Sequence, residues 1–173
     1  GSQTLITPAI AKNVITVGAC QSERRNLYLY EDGCDAMADF SSRGPTEDGR
    51  CKPDIVAPGT WIASTRSAVA PAGNEWMEID EHYTYMGGTS MASPIATGAG
   101  AVLIQYFRQM CGGASPSPAL LKALMIACAD DMLDDYGTDP TPNFDEGWGR
   151  IYLPNIIESD TLYLCENQSV LLR

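Results

Sequence analysis

The sequence has little positive charge, with 11 lysine and arginine residues against 22 aspartate and glutamate residues and a net charge of -11 at pH 7. Nucleic acids and anionic membranes attract basic surfaces, so this balance argues against either as a partner. Long apolar runs are also missing. The longest, residues 95–104, is too short to cross a bilayer, so no membrane span is expected. No charged segment followed by an apolar one opens the sequence, so we expect no signal peptide in these residues.

Closely spaced cysteines are missing too. The six cysteines are too far apart for the paired CxxC spacing of metal and redox sites, and their even number permits up to three disulfides. They lie at Cys20, Cys34, Cys51, Cys111, Cys128 and Cys165. This count is compatible with an oxidising compartment. Cys128 falls in an apolar helical pattern, which favours a buried free thiol there.

What the sequence does contain indicates a globular α/β fold. Apolar residues make up 45% of the 173 positions and charged residues 19%, which suits one domain with a real core. Short β-branched or apolar runs alternate with helical patterns, an order typical of α/β proteins. The predicted strands are 13–19, 55–59 and 61–65, followed by a loop at 68–83. Helices are predicted from 89 to 107 and from 118 to 129, then a strand after 147 and one more in the tail.

The stretch "GGTSMASP" contains the most informative serine, Ser90. Glycines before the serine permit close backbone approach, and a helix beginning there would direct free N–H groups at a developing negative charge. The same residues also describe an ordinary helix N-terminus, in which Thr89 and Ser90 cap the helix. From the residues alone, both interpretations stand.

Several collinear motifs resemble those of subtilisin-like serine peptidases. They are "AKNVITVGA", "FSSRGPTEDGRCKPDIVAPG", "YMGGTSMASPI", the helix from Pro118 and "GWGRI". The branch of the family that they resemble most has a β-sandwich or barrel after its catalytic domain. The resemblance implies a three-layer α/β fold with a mostly parallel sheet, here only its C-terminal part over residues 1–157. Residues 158–173 would form a C-terminal strand or begin a β domain.

The resemblance also implies roles for residues around the serine. Ser90 matches the nucleophile, and Thr89 matches the neighbour whose hydroxyl supports the oxyanion site. Met91 matches a methionine whose oxidation would hinder catalysis, although plain core packing also explains it. Gly88 would let the backbone approach a bound polypeptide substrate closely.

Two further segments match family sites by position. Leu5, Ile6 and Thr7 match the segment walling the pocket for the residue before the scissile bond, and Thr7–Pro8 matches a place with a cis proline. Asp54 matches the aspartate of a weak monovalent or calcium site, with carbonyls near Ala9, Ala11 and Val14 as partners. Alternatively, Asp54 caps a turn or pairs with Arg43 or Lys52. No cofactor is required, and a structural calcium or monovalent cation is the one ion implied. An acidic loop could also hold calcium, but we expect its carboxylates to be solvated instead. Its aspartates are Asp130, Asp131, Asp134, Asp135 and Asp139.

The family's histidine, aspartate and oxyanion asparagine motifs are not in these residues. The single histidine, His82, lies in the wrong context for a base, and a surface role is expected for it. Three interpretations remain: part of a peptidase whose N-terminal half carries the other groups, a chain that pairs with a separate N-terminal chain, or a non-catalytic scaffold module. The first two imply a secreted or periplasmic serine endopeptidase, inactive without that half.

Overall fold

A computed structural model describes residues 3–22, 33–69, 75–132 and 140–159, and the backbone of two further strands. In chain order the elements are β1 (Val17–Cys20), β2 (Ile55–Pro58), β3 (Ile62–Thr65), β4 (Met77–Glu78), β5 (Tyr83–Met86), α1 (Thr89–Met110), α2 (Pro118–Ala127), β6 (Ala129–Asp130), β7 (Arg150–Ile151), α3 (Pro154–Ile157), β8 (Tyr163–Glu166) and β9 (Ser169–Leu172).

The central sheet has the strand order β1-β2-β7-β6. Strands β1, β2 and β7 run parallel, and β6 is antiparallel to β7. The inner strand β2 is apolar on both faces because both faces are covered: Ile55, Val56 and Ala57 are fully buried. The predicted α/β fold with a mostly parallel sheet is therefore confirmed.

Helix α1 packs on β1 and β2 through a stripe of small residues. Ala92, Ala96 and Gly100 are buried at successive four-residue intervals, followed by Leu103 and Phe107. Side chains four residues apart share one helix face, so this stripe lets the first half of the helix approach the sheet closely. The larger Leu103 and Phe107 fill the wider space near the C-terminal end of α1.

Helix α2 begins as its sequence predicts. Ser117 is the N-cap, its hydroxyl accepts a hydrogen bond from the amide of Leu120 at 3.2 Å, and Pro118 occupies the first helical position. Leu120, Leu124 and Met125 are buried against the core. The start of this helix was therefore predictable from local signals.

A second, antiparallel sheet has the order β3-β5-β4 and corrects part of the prediction. Residues 75–83 were expected to be loop, but Met77–Glu78 form strand β4 against β5. The polar sequence around β4 does not predict a strand. Pairing with β5 nevertheless satisfies its backbone hydrogen-bonding groups, and this stabilises the extended conformation. In the tail, where a C-terminal strand or the start of a β domain was expected, two strands form an antiparallel hairpin, β8-β9.

Residues 36–38 cover the outer side of β1 at its C-terminal half, where the amide of Ala38 donates to the carbonyl of Ala19 at 3.0 Å and Met37 forms an antiparallel bridge with Cys20. In the part of the chain that the structure describes, the N-terminal half of β1, at Val17, is therefore an edge of the central sheet. Beside it lies an apolar groove of about 320 Å³ between β1, α1 and α2. Its walls are mostly aliphatic or small: Ile15, Val17, Ala96, Gly100, Ile104, Leu121 and Met125. The start of β1 thus borders exposed apolar surface, which is unusual for a finished α/β sheet. None of the described helices is long and apolar enough to span a membrane.

Candidate active site

Ser90 is the second residue of α1, and it does not cap that helix. The N-cap is Gly88, whose φ of 148° and ψ of 162° suit a residue without a side chain, and no side chain bonds the helix N-terminus. The expectation that Thr89 and Ser90 cap the helix is therefore wrong. Capping requires a residue outside the helical backbone, whereas both of these residues already have helical conformations.

The hydroxyl of Ser90 is exposed and makes no hydrogen bond to any described residue. The amides of Thr89 and Ser90 likewise donate to no described carbonyl, whereas those of Met91 and Ala92 donate to the carbonyl of Gly88. The two free N–H groups and the positive end of the helix dipole therefore lie beside an uncommitted hydroxyl. Such an arrangement can stabilise an oxyanion formed next to Ser90.

The serine turn lies at the carboxyl ends of the parallel strands. The amide of Gly59, just after β2, donates to the carbonyl of Cys20 at the end of β1 at 2.8 Å. The amide of Gly88 then donates to the carbonyl of Gly59 at 2.7 Å. These bonds place the N-terminus of α1 at the edge where α/β proteins usually bind ligands.

A cleft of about 480 Å³ opens beside Ser90, and we call it the Ser90 cleft. One wall is the start of α1, and the other is the chain leading into β1. The lining residues are Pro8, Ala9, Val14, Ile15, Thr16, Val17, Thr89, Ser90, Ser93 and Pro94. Leu5, Ile6 and Thr7, the segment matched to a substrate pocket, precede this wall and are not among them. Ile6 is 76% exposed, and Thr7–Pro8 is cis as the resemblance predicts.

Four aromatic residues pack together beside the serine turn, and one of them, Trp76, lies against Gly87. We call Phe40, Trp61, Trp76 and Tyr85 the aromatic cluster. The rings of Trp61 and Trp76 meet edge to face, with their centroids 5.0 Å apart. The ring centroid of Phe40 lies 6.2 Å from that of Trp76, again edge to face. Trp61 has a left-handed backbone, φ 48°, which costs of order 1–3 kcal/mol and is held by this packing. No sequence pattern brings Trp76, from the region expected to be loop, to this position.

Gly87 allows the aromatic cluster to cover the serine turn. A Cβ atom at residue 87 would overlap the six-membered ring of Trp76. We therefore expect Gly87→Ala to lower the free energy of unfolding by about 1–3 kcal/mol, because the indole must leave its place against Trp61. Thermal unfolding followed by circular dichroism measures this loss.

The matched control removes the indole as well. In the double variant Gly87→Ala/Trp76→Ala the added methyl group meets no ring, so the double variant should be more stable than the sum of the single losses predicts. A coupling free energy of about 1 kcal/mol or more is expected. Strictly additive losses would show that Trp76 does not pack on Gly87.

His82 lies at the turn between β4 and β5, away from Ser90. Its side chain is 74% exposed, its Nε2 lies 3.4 Å from Glu81 Oε1, and its amide donates to Asp80 Oδ1 at 2.7 Å. The extended strand β5 separates it from Gly87 by about 16 Å, at about 3.3 Å per residue. The expected surface role is confirmed, and His82 is out of reach of the serine.

Asp54 is buried, but ammonium groups occupy both of its carboxylate oxygens. Lys52 Nζ lies 2.6 Å from Oδ2 and Lys122 Nζ lies 2.8 Å from Oδ1. Pairing with Lys52 was one of the alternatives, and Arg43 instead pairs with Asp145 at 2.8 Å. Lys122 was not foreseen. An oxygen set already satisfied by two cations does not fit a bound metal ion.

The acidic loop is described only at its ends. Asp134, Asp135 and Asp139 fall outside the described residues. Among the described residues, no group of three or more histidine, cysteine or acidic side chains is arranged to hold a metal ion.

The five cysteines whose side chains are described are free thiols. Burial raises the pKa of Cys20 to about 12, so this thiol stays protonated at neutral pH. Burial also raises the pKa of Cys128, which agrees with the buried free thiol predicted there. Disulfides therefore do not hold together the described part of the fold.

Comparison with known proteins identifies relatives of this chain. The sequence model of the subtilase family, peptidase family S8, matches residues 1–149. The serine protease AprX of Bacillus subtilis is 42% identical over 106 residues, which are 60% of this chain and 23% of AprX. The minor extracellular protease Vpr of the same organism is 38% identical over 131 residues, which are 73% of this chain and 14% of Vpr.

Solved structures agree with these relatives. The CspB protease of Clostridium perfringens superposes with a TM-score of 0.66 at 26% identity, covering 91% of this chain and 29% of that one. Fervidolysin from Fervidobacterium pennivorans superposes with a TM-score of 0.58 at 28% identity, covering 88% of this chain and 20% of that one. The matched part of the chain therefore spans 14–29% of the length of these four proteins.

Proposed function

Because this chain belongs to the subtilase family, we propose that it supplies the nucleophile of a serine endopeptidase, with Ser90 in that role. One observation carries the proposal above all. The Ser90 hydroxyl is exposed at the N-terminus of α1, free of hydrogen bonds to described residues, and not used as a cap. A serine retained only to stabilise the helix would bond its backbone instead.

The proposed reaction is acyl transfer. Ser90 Oγ attacks the carbonyl carbon of a peptide bond while a histidine base takes its proton, and the carbonyl oxygen becomes an oxyanion. The amide of Ser90 stabilises that oxyanion, with Thr89 beside it. The amine then leaves with the proton from the histidine, and water hydrolyses the acyl-enzyme. Oxidation of Met91, half-buried directly after the nucleophile, would interfere with this geometry.

The base, the aspartate and the asparagine donor must come from sequence outside these 173 residues, since their single histidine is remote from Ser90. We propose that an N-terminal half of the catalytic domain supplies them, in the same precursor or in a separate chain. The 320 Å³ apolar groove beside Val17, at the start of β1, supports this partner, because a further parallel strand paired with that half of β1 would cover the groove. We call the complete unit the assembled peptidase.

The substrate is proposed to be a polypeptide bound along the Ser90 cleft. Gly88 leaves room for its backbone, and Leu5, Ile6 and Thr7 are proposed to wall the pocket before the scissile bond. The exposed side chain of Ile6 is available for such a contact. Export to the cell exterior or periplasm is also proposed, supported by the extracellular relative Vpr but not by the five free thiols.

The proposal is tested by complementation with a fluorescent casein substrate. The chain alone should hydrolyse casein no faster than buffer, and the assembled peptidase should be faster by a factor of about a thousand or more. A folded, stoichiometric assembly without activity would favour the alternative, a non-catalytic scaffold of the same fold. Activity of the chain alone would show that its own residues supply the base.

A further inference from the structure

A buried carboxylate with two ammonium groups lies behind the Ser90 cleft. We call Asp54, Lys52 and Lys122 the Asp54 cluster. The side chain of Lys52 is only 3% exposed and that of Asp54 9%, whereas Lys122 reaches in from α2 and is 24% exposed. The sequence holds three lysines in all, so two of the three are used at this one carboxylate.

Backbone carbonyls complete the surroundings of the ammonium groups. The carbonyl oxygen of Val14 accepts hydrogen bonds from Lys52 Nζ at 3.0 Å and from Lys122 Nζ at 2.9 Å. The carbonyl of Lys12 accepts from Lys122 Nζ at 3.4 Å. Lys122 Nζ thus has one carboxylate and two carbonyl oxygens around it, which are the ligand types of a hard cation.

The Asp54 cluster fixes the wall of the Ser90 cleft. Asp54 Oδ2 accepts from the amide of Thr16 at 2.7 Å, and the hydroxyl of Thr16 donates to the carbonyl of Ala9 at 2.6 Å. Ala9, Val14 and Thr16 all line the cleft. One network therefore joins the carboxylate, both ammonium groups and three residues of the wall that faces Ser90.

We propose that the ammonium group of Lys122, together with that of Lys52, takes the place of a bound cation at Asp54. The chain then holds the cleft wall with its own charges and needs no ion from solution. An entering ion would have to displace an ammonium group and leave it beside another positive charge in a buried site. Lys122 is thus a positioning residue for the wall of the Ser90 cleft, contributed by a helix outside that wall.

The test removes one ammonium group and asks whether a cation from solution then stabilises the site in its place. Lys122→Ala leaves Asp54 Oδ1 and the carbonyls of Val14 and Lys12 without their partner. We expect the Tm of the variant to be about 4 °C below wild type in choline chloride. Potassium chloride or methylammonium chloride at the same ionic strength should restore at least half of that loss. The Tm of the wild-type chain should be the same in choline, potassium and calcium chloride.

Lys12→Ala is the matched control, because it removes the same charge while its backbone carbonyl stays in place. The Tm of Lys12→Ala should be the same in choline chloride and in potassium chloride. A variant Lys122→Ala that melts equally in all salts would overturn the proposal. The proposal would also be overturned if the Tm of the wild-type chain were several degrees higher in potassium or calcium chloride than in choline chloride. This wild-type measurement tests the proposal even if Lys122→Ala fails to fold.

Discussion

Replacing Ser90 by alanine is expected to lower casein hydrolysis by the assembled peptidase at least about a thousandfold. The substitution removes only an exposed oxygen that bonds no described residue, so the free energy of unfolding should stay within about 0.5 kcal/mol of wild type. The loss belongs to the chemical step, since the oxyanion donors and the cleft remain. kcat should fall while KM changes little.

Ser93→Ala is the matched control for this change. Ser93 is exposed one helical turn after Ser90 and lines the same cleft. Without a role as nucleophile, its replacement should change kcat by less than about threefold. Equal losses from both variants would indicate general damage to the cleft, and full activity of Ser90→Ala would reject Ser90 as the nucleophile.

Gly149→Ala is expected to destabilise the chain by about 3 kcal/mol or more. Gly149 has a φ of 108°, and a Cβ atom there would collide with the carbonyl oxygen of Asp130. Its own carbonyl accepts from the amide of Val56 at 2.9 Å. The obstacle is backbone inside the central sheet, so no side chain can move aside. Urea unfolding followed by circular dichroism gives the magnitude.

A glycine in open space provides the comparison. Gly98 lies inside α1, and a Cβ atom added there meets nothing within 4 Å. Gly98→Ala should therefore stabilise the chain by up to about 1 kcal/mol, because alanine favours a helix more than glycine does. If both variants unfolded at the same urea concentration, the sheet geometry at Gly149 would be wrong.

The parts of the fold that follow from local signals could be predicted from the sequence. Ser117 and Pro118 begin α2, and the buried strand at Ile55 follows from an apolar run that ends in Pro58-Gly59. The cap at α1 could not be predicted, because Thr89 and Ser90 have the chemistry of cap residues. The backbone conformation of Gly88 decides the matter, and composition does not reveal it.

The other features that the sequence did not predict depend on contacts between residues far apart in the chain. Lys122 reaches Asp54 and the carbonyl of Val14 only because α2 packs beside the segment that enters β1. Trp76 covers Gly87 only because β4 pairs with β5. In both cases tertiary packing gives an ordinary lysine or tryptophan its partner, and no local pattern marks either residue in advance. The local motif around Ser90 therefore located the serine turn, but no sequence pattern located the residues that pack beside it.

The most direct measurement is fluorophosphonate labelling followed by peptide mapping, on the chain alone and on the assembled peptidase. A nucleophilic Ser90 forms a bond to phosphorus and releases fluoride once a base accepts its proton. We expect the label on Ser90 in the assembled peptidase, little in the chain alone, and none in Ser90→Ala. A label on another residue, or no label in an assembly shown to be folded and stoichiometric, would contradict the assignment of Ser90 as the peptidase nucleophile.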